Sequence, residues 1–496
     1  MSRSFKLHLK YFIHNVGAKE EGSMKKGNKL RKLAAAAMAA ALILAMCGCG
    51  AQKTTETADT DDSSAVKYLT REDITVNEEI SNDQDGEHAI EVSGETKEYS
   101  NVGVTKTGEA DGDEADFYGE NSAVFTTESG NLTIKDSLIE TDGTHANAVF
   151  SYGKGSTVNI SDSVIETKGN CSGGLMTTGG GTTNASNLTI NTAGRSSAAI
   201  RSDRGGGTVN VDKGYYKTTG TGSPVIYSTA DITVSNAYME STASQGVVVE
   251  GKNSVTLNND ELVADNNTKN SDKSDYYQAV MIYQSMSGDA DEGTSSFSAS
   301  GSTITNKNGD VFFVNNTATK ISLTDTEITN EDKNGAFLRA EAAEWGSEGS
   351  NGGKVELTAS KQKIDGNILV DDVSALNLYL KDKSSFSGAI NPDGQTGDVY
   401  VEIEEGSTWK LTADSYVSGL TVGKGSAIDL NGHKLYVDGK EYEAGSASTG
   451  EAFEIKTEST GGGQGGMPGD GQAPPDGGQG GPGGTPPDGE PPAKPE

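Results

Sequence analysis

Residues 131–160 read NLTIKDSLIETDGTHANAVFSYGKGSTVNI, and the pattern inside them decides the fold. Leu132–Ile134 and Val158–Ile160 are apolar-x-apolar steps, Ala148–Phe150 is a third apolar run between them, and Gly, Asn, Asp and Ser fill the gaps. Alternation at period two places Leu132 and Ile134 on one face of a short strand, and the intervening residues supply turns. Helical spacing at three and four is nearly absent. Moving outward along the chain, the first step recurs at Leu188–Ile190, Val209–Val211, Ile232–Val234, Val255–Leu257, Ile321–Leu323, Val355–Leu357 and Leu378–Leu380. The second recurs at Ala199–Ile200, Val225–Ile226, Val247–Val249, Val280–Ile282 and Val311–Phe313. Most neighbours are roughly 21 to 30 residues apart, the period range of solenoids.

One such unit cannot enclose a core, but stacked units bury a continuous column while each backbone pairs with the coils above and below. The composition suits a narrow column: 65 glycines and only 6% aromatic residues. About 12 coils at the usual strand spacing give a rod roughly 55–60 Å long. The competing architecture, an array of β-sandwiches, requires strands every 8–12 residues or so with no coil-length period. The quoted runs resemble the right-handed parallel β-helix of the pectate-lyase-like superfamily, and the expected fold is an all-β solenoid over residues 117–445. That resemblance concerns architecture. It implies kinship with adhesin-like and carbohydrate-binding β-helix surface proteins without matching any site residue.

The flanks have other compositions. Residues 24–48 carry a basic stretch (Lys25, Lys26, Lys29, Arg31, Lys32) followed by the apolar run Leu33–Met46, the form of an export signal. Cys49 after Gly48 resembles the acylated cysteine of a lipobox, and Cys47 is the alternative. The expected address is therefore the outer face of the cell membrane, held by an N-terminal lipid. Residues 1–23 lack any signal-like pattern and read as an extension ahead of the true start. Residues 49–65 read as a polar tether, 66–116 as an N-terminal cap, and 446–496 as a Gly/Pro-rich disordered tail. The stretch 426–437 is expected to close the other end with a hairpin, because open coil ends expose strand edges. If Cys47 leaves with the signal and Cys49 is acylated, Cys171 is a lone thiol expected to be buried.

The formal charge is −32, from 40 basic and 72 acidic residues. Such a surface repels a phosphate backbone, so nucleic acid is not an expected partner. After the signal only His88, His145 and His433 remain, none beside a nucleophile or second histidine in sequence, and the expectation is no zinc site and no catalytic triad. The signatures of β-helix polygalacturonases and pectate lyases are not recognisable. Three features carry ligand-binding potential. Arg201, Asp203 and Arg204 cluster in GRSSAAIRSDRGGG, where Arg201, beside the inward Ile200, is expected to point to solvent; the arginines either offer their forks to a carboxylated sugar or form a surface ladder with Asp203 and acidic neighbours on adjacent coils. Asp111, Asp113 and Asp116, with Asp289 and Asp291, have the oxygen-rich spacing of calcium loops. Tyr227, Tyr283 and Trp345 are candidate sugar-stacking rings. Insertions at 265–278, 285–296 and 340–353 are expected to emerge as loops and to be the best places for function.

The function expected from sequence is a non-catalytic cell-surface lipoprotein whose acidic β-helix serves adhesion or polysaccharide binding, with polysaccharide or a host or cell-surface glycan as the candidate partner, no required cofactor and calcium as the candidate ion. The alternatives are a polysaccharide lyase or hydrolase on the same scaffold, and an inert structural stalk.

Overall fold

The computed structural model describes residues 68–269, 275–285, 287–394 and 397–456. The signal segment, Cys47, Cys49, the tether and the tail beyond residue 456 lie outside them. Among the described residues the chain forms 38 strands, one short helix α1 (Asp113–Phe117) and one 3-10 turn. The strands build a 20-stranded sheet, an 11-stranded sheet and two small sheets of four and three strands. The named strands pair in parallel throughout, apart from Leu435–Val437 with Lys440–Glu441.

Parallel neighbours need a crossover, and here the crossover is the rest of a coil. Leu132 pairs with Val158 and Val124 with Val149, so each strand meets its counterpart one unit along. The architecture is thus long stacks of parallel strands, as the repeat predicts. Each typical unit holds three strands: Asn131–Lys135 and Leu138–Thr141 in the large sheet, Val149–Tyr152 in the eleven-stranded one. A left-handed residue makes the corner between the first two, with φ 52° at Asp136 and 51° at Asp162 and Asn187. Asp and Asn tolerate that conformation better than other side-chain-bearing residues. Leu132, Ile134, Val158, Ile160, Val209 and Val211 fill the interior, while Asn159, Asn184 and Asn210 form an outward ladder linked by 3.0 Å side-chain hydrogen bonds.

Two registers differ from the sequence expectation. Val158–Ile160 pairs with Thr183–Ala185; Leu188–Ile190 lies beyond the Asn187 corner, where Thr189 and Ile190 pair with Val164 and Ile165. Val355–Leu357 pairs with Leu376–Leu378, two residues earlier than expected, a slip that leaves Leu378 and Leu380 on the inner face.

At another corner Gly143, Gly169, Gly194 and Gly220 stack. A Cβ on Gly169, Gly194 or Gly220 would stand 1.8 Å from the carbonyl oxygen of the glycine one coil earlier. Only glycine fits that approach.

The segment expected to cap the rod already belongs to the stack, since Glu78–Asn82 pairs with Val102–Lys106 and Ile90–Ser93 with Val124–Thr127. A strap formed by residues 68–76 lies outside these coils. Leu69 N–H donates to Thr189 Oγ1 at 3.1 Å, Arg71 pairs with Glu140, and Asn101 Nδ2 donates to the Thr75 carbonyl at 3.1 Å. Leu69, Ile74 and Val76 cover Leu138 and Val164. Near the other end, Ala427–Asp429 continues the parallel stack on Thr408–Lys410, so the closing hairpin is Leu435–Glu441 rather than 426–437. The chain then runs back along the flank, where Phe453 and Asn377 exchange hydrogen bonds of 3.0 and 2.8 Å.

Candidate functional site

The eleven-stranded sheet has an unusual outer face. Its inward positions are Val124, Val149, Leu175, Ile200, Ile226, Val247 and Val280, so period two turns the next residue of each strand outward. Phe125, Phe150, Met176, Arg201, Tyr227, Val248, Met281, Phe313 and Arg339 therefore stand in one continuous outward row. An outward row is ordinarily polar; this one is mostly apolar because insertions cover it. Residues 107–122 carry α1 over one part, and the expected insertions at 265–278, 285–296 and 340–353 supply Tyr276, Asp289 and Trp345 over another.

Between the later insertions lies a groove of about 600 Å³, counting space open to solvent. Tyr227, Val248, Met281 and Tyr283 form its floor, and Tyr276, Tyr277, Trp345, Gln245, Asn266, Lys269 and Gln278 line its sides. The structure brings Tyr227, Tyr283 and Trp345 together. Tyr283 and Trp345 meet edge to face at 5.2 Å, and Trp345 is only 3% exposed, so this pair shapes the wall more than it offers a free face. The more accessible rings, Tyr276 and Tyr277, come from the 265–278 insertion. Tyr276 is held by Arg339, 3.7 Å above its ring, and donates to Glu341 at 3.0 Å. Beneath the floor the Tyr227 and Tyr283 hydroxyls both donate to Glu250, the latter at 3.1 Å. Burial raises the Glu250 pKa and drives both tyrosines far above the phenol range. The buried Oε1 of Gln278, on the groove lining, has no hydrogen-bond partner among the described residues.

The arginines pair with acidic neighbours, as the ladder reading has it, but Arg201 is buried rather than solvent-facing. Arg201 does project outward, but the covering segments leave it 7% exposed. It donates to Asp203 at 2.7 Å, and Asp203 has no exposed surface. Burial raises the Asp203 pKa most; Arg201 opposes that shift, and Asp289 and Glu250 add to it. Arg204 grips Asp289 through Nε at 3.0 Å and a terminal nitrogen at 2.7 Å, reaches Asp113 at 3.4 Å, and stacks 3.8 Å over Phe117. Neither fork is open to a sugar carboxylate. Both are spent tying insertions to the sheet.

The five aspartates are divided among three partners. Asp113 and Asp289 face Arg204, Asp291 pairs with Lys252 at 2.6 Å, Asp116 faces His145, and Asp111 is 79% exposed. They do not share a centre. Among the described residues, the group of three His, Cys, Asp or Glu ligand atoms lying within 4.8 Å of one another is Asp116, His145 and Cys171. Cys171 is buried, as expected of a lone thiol. The grouping with His145 corrects the expectation that no histidine sits near a nucleophile. His145 and Cys171 each follow a stacked glycine by two residues, Gly143 and Gly169, so repeat alignment carries the signal that linear spacing hides. Burial acts to lower the His145 pKa, but contact with the Asp116 carboxylate and with Cys171 outweighs it and pushes the value up to about 10.

No family model matches this chain, and no curated protein matches its sequence.

Proposed function

We propose that the chain is a right-handed parallel β-helix of the pectate-lyase-like kind, exported and lipid-anchored at Cys49 or Cys47, that binds polysaccharide without cleaving it. The observation that supports this reading is the convergence of five aromatic rings with the side chains of Gln245, Asn266, Gln278 and Lys269 on one open groove. Aromatic faces pack against the C–H faces of sugars, and amides and an ammonium match their hydroxyls and acid groups. The rings and amides are mounted on or braced against a stacked sheet, which lowers the ordering cost of binding.

The test is binding of the purified full-length chain to a panel of neutral and acidic polysaccharides, with calcium and again with chelator. Saturable binding is expected, with affinity reduced about two- to tenfold by Tyr277→Ala, the loss of one stacking face. Loss of binding in chelator would assign an ion to the interaction. Shortening of the glycan during incubation would replace this reading with the lyase or hydrolase alternative. No binding to any glycan would overturn the carbohydrate reading and leave a protein-binding adhesin or an inert stalk.

A further inference from the structure

Outside the groove, one group of buried side chains is not fully accounted for by ion pairing or packing. His145 and Cys171 occupy the same left-handed turn position in successive coils, with φ 55° and 54°. Asn121 precedes them in that column, and Ser196 and then Gly222 follow. Helix α1, inserted from the preceding coil, lowers Asp116 onto the pair. All three side chains are more than nine-tenths buried. His145 Nδ1 stands 2.9 Å from Asp116 Oδ1 but does not meet the criteria of a hydrogen bond to it or to any other described group. One coil further on, at the same turn position, the buried Ser196 Oγ also lacks a hydrogen-bond partner.

We propose that Asp116, His145 and Cys171 form a binding site for a divalent transition metal, zinc being the ion whose chemistry fits the set. One carboxylate oxygen, one imidazole nitrogen and one thiolate are zinc donors, whereas a thiolate is foreign to calcium or magnesium. Tetrahedral zinc at its usual bond lengths separates such atoms by about 3.3–3.7 Å. The 2.9 Å contact must open by roughly half an ångström, and the widest pair, at most 4.8 Å apart, must close by about one. Charge also balances. Two anionic ligands cancel the ion, and the adjacent Arg201 is already neutralised by Asp203. A water molecule would complete the fourth position, while Asp111 Oδ1 faces the other ring nitrogen, 3.8 Å from Nε2. Pinning α1 to two coils would brace the cover over the sheet.

The experiment uses the full chain with Cys47→Ser and Cys49→Ser, so that Cys171 is the sole thiol, stripped of metal and titrated with cobalt(II). A thiolate-to-cobalt charge-transfer band with the visible bands of tetrahedral cobalt is expected, saturating at one equivalent and bleached by zinc. Asp116→Asn and Cys171→Ser should abolish the band, with circular dichroism reporting whether each still folds. A readout free of that risk is alkylation of Cys171 in the otherwise unaltered chain, which zinc should slow more than tenfold. Absence of the band, together with an alkylation rate indifferent to zinc, would overturn the proposal. So would a band that persists in folded Cys171→Ser.

Discussion

Alanine at Gly194 should be among the most damaging single-methyl changes in this protein, and the structure supplies the size of the effect. The added Cβ would lie 1.8 Å from the Gly169 carbonyl oxygen, while ordinary van der Waals contact begins at 3.4 Å. The coils must part by up to about 1.6 Å at this corner, a third of the usual strand separation. Parting them strains Ser197 Oγ to Gly169 O, 3.1 Å, and Ala193 N–H to Thr167 O, 2.9 Å. Two hydrogen bonds at about 1 kcal/mol each, added to overpacking of 1–3 kcal/mol, give a loss of roughly 3–5 kcal/mol. Gly153→Ala is the control: φ is +84° but nothing lies within 4 Å, so the loss reflects backbone strain alone, about 1–2 kcal/mol. Urea denaturation of both variants gives the comparison, with amide exchange showing whether opening is local to the Gly169–Gly194 coils. A Gly194→Ala protein no less stable than Gly153→Ala would mean that the glycine column does not set the coil spacing, and the reasoning fails.

Other consequences are equally checkable. Asp260 accepts from the Ala237 and Asn258 N–H groups at 2.8 and 2.7 Å, yet burial raises its pKa to about 7 from an unfolded value of 3.8. The folded state therefore keeps a proton that the unfolded state sheds, so the stabilisation is full below pH 4 and lost as pH rises towards 7, by at most about 4 kcal/mol. Asp260→Asn should lose that slope in denaturation measured at stepped pH, on top of a pH-independent loss for the N–H it cannot accept; an unchanged slope would contradict the assignment. Arg204→Ala should cost about 2–3 kcal/mol, because it leaves the buried Asp289 unpaired and uncovers Phe117, the figure being kept low for the partial exposure of Arg204. Arg204→Lys should recover less than half of that melting-temperature loss, and full recovery would show that charge matters and the planar fork does not.

The strands were legible because Leu132, Ile134, Val158 and Ile160 alternate with polar residues and recur at coil distance. Register was less so. A left-handed corner at Asn187 resets which apolar triplet continues the ladder, and no periodicity announces such a corner. The groove was half legible: Tyr227, Tyr283 and Trp345 could be named, but their convergence depends on how three insertions fold back onto one face. The burial of Arg201 and Arg204 could not be read locally, since the helix that covers them begins at Asp113, some 90 residues earlier, and Asp289 lies as far on the other side. The partnership of His145 with Cys171 was hidden for the opposite reason. It needs no distant segment, only the recognition that equivalent positions in consecutive repeats are neighbours in space.

The strap gives the rod a direction in which it resists being pulled. Tension arriving through the residues that precede Tyr68 enters on the flank, beside the coil of Thr189 and Tyr215, not at the first coil. The attachments at Thr189, Glu140 and Asn101 then lie in series along the load path. They would peel one after another, from the middle of the rod towards its start, before any coil bears load. Under a load from that end, residues 68–76 should lengthen before the stack beneath them yields.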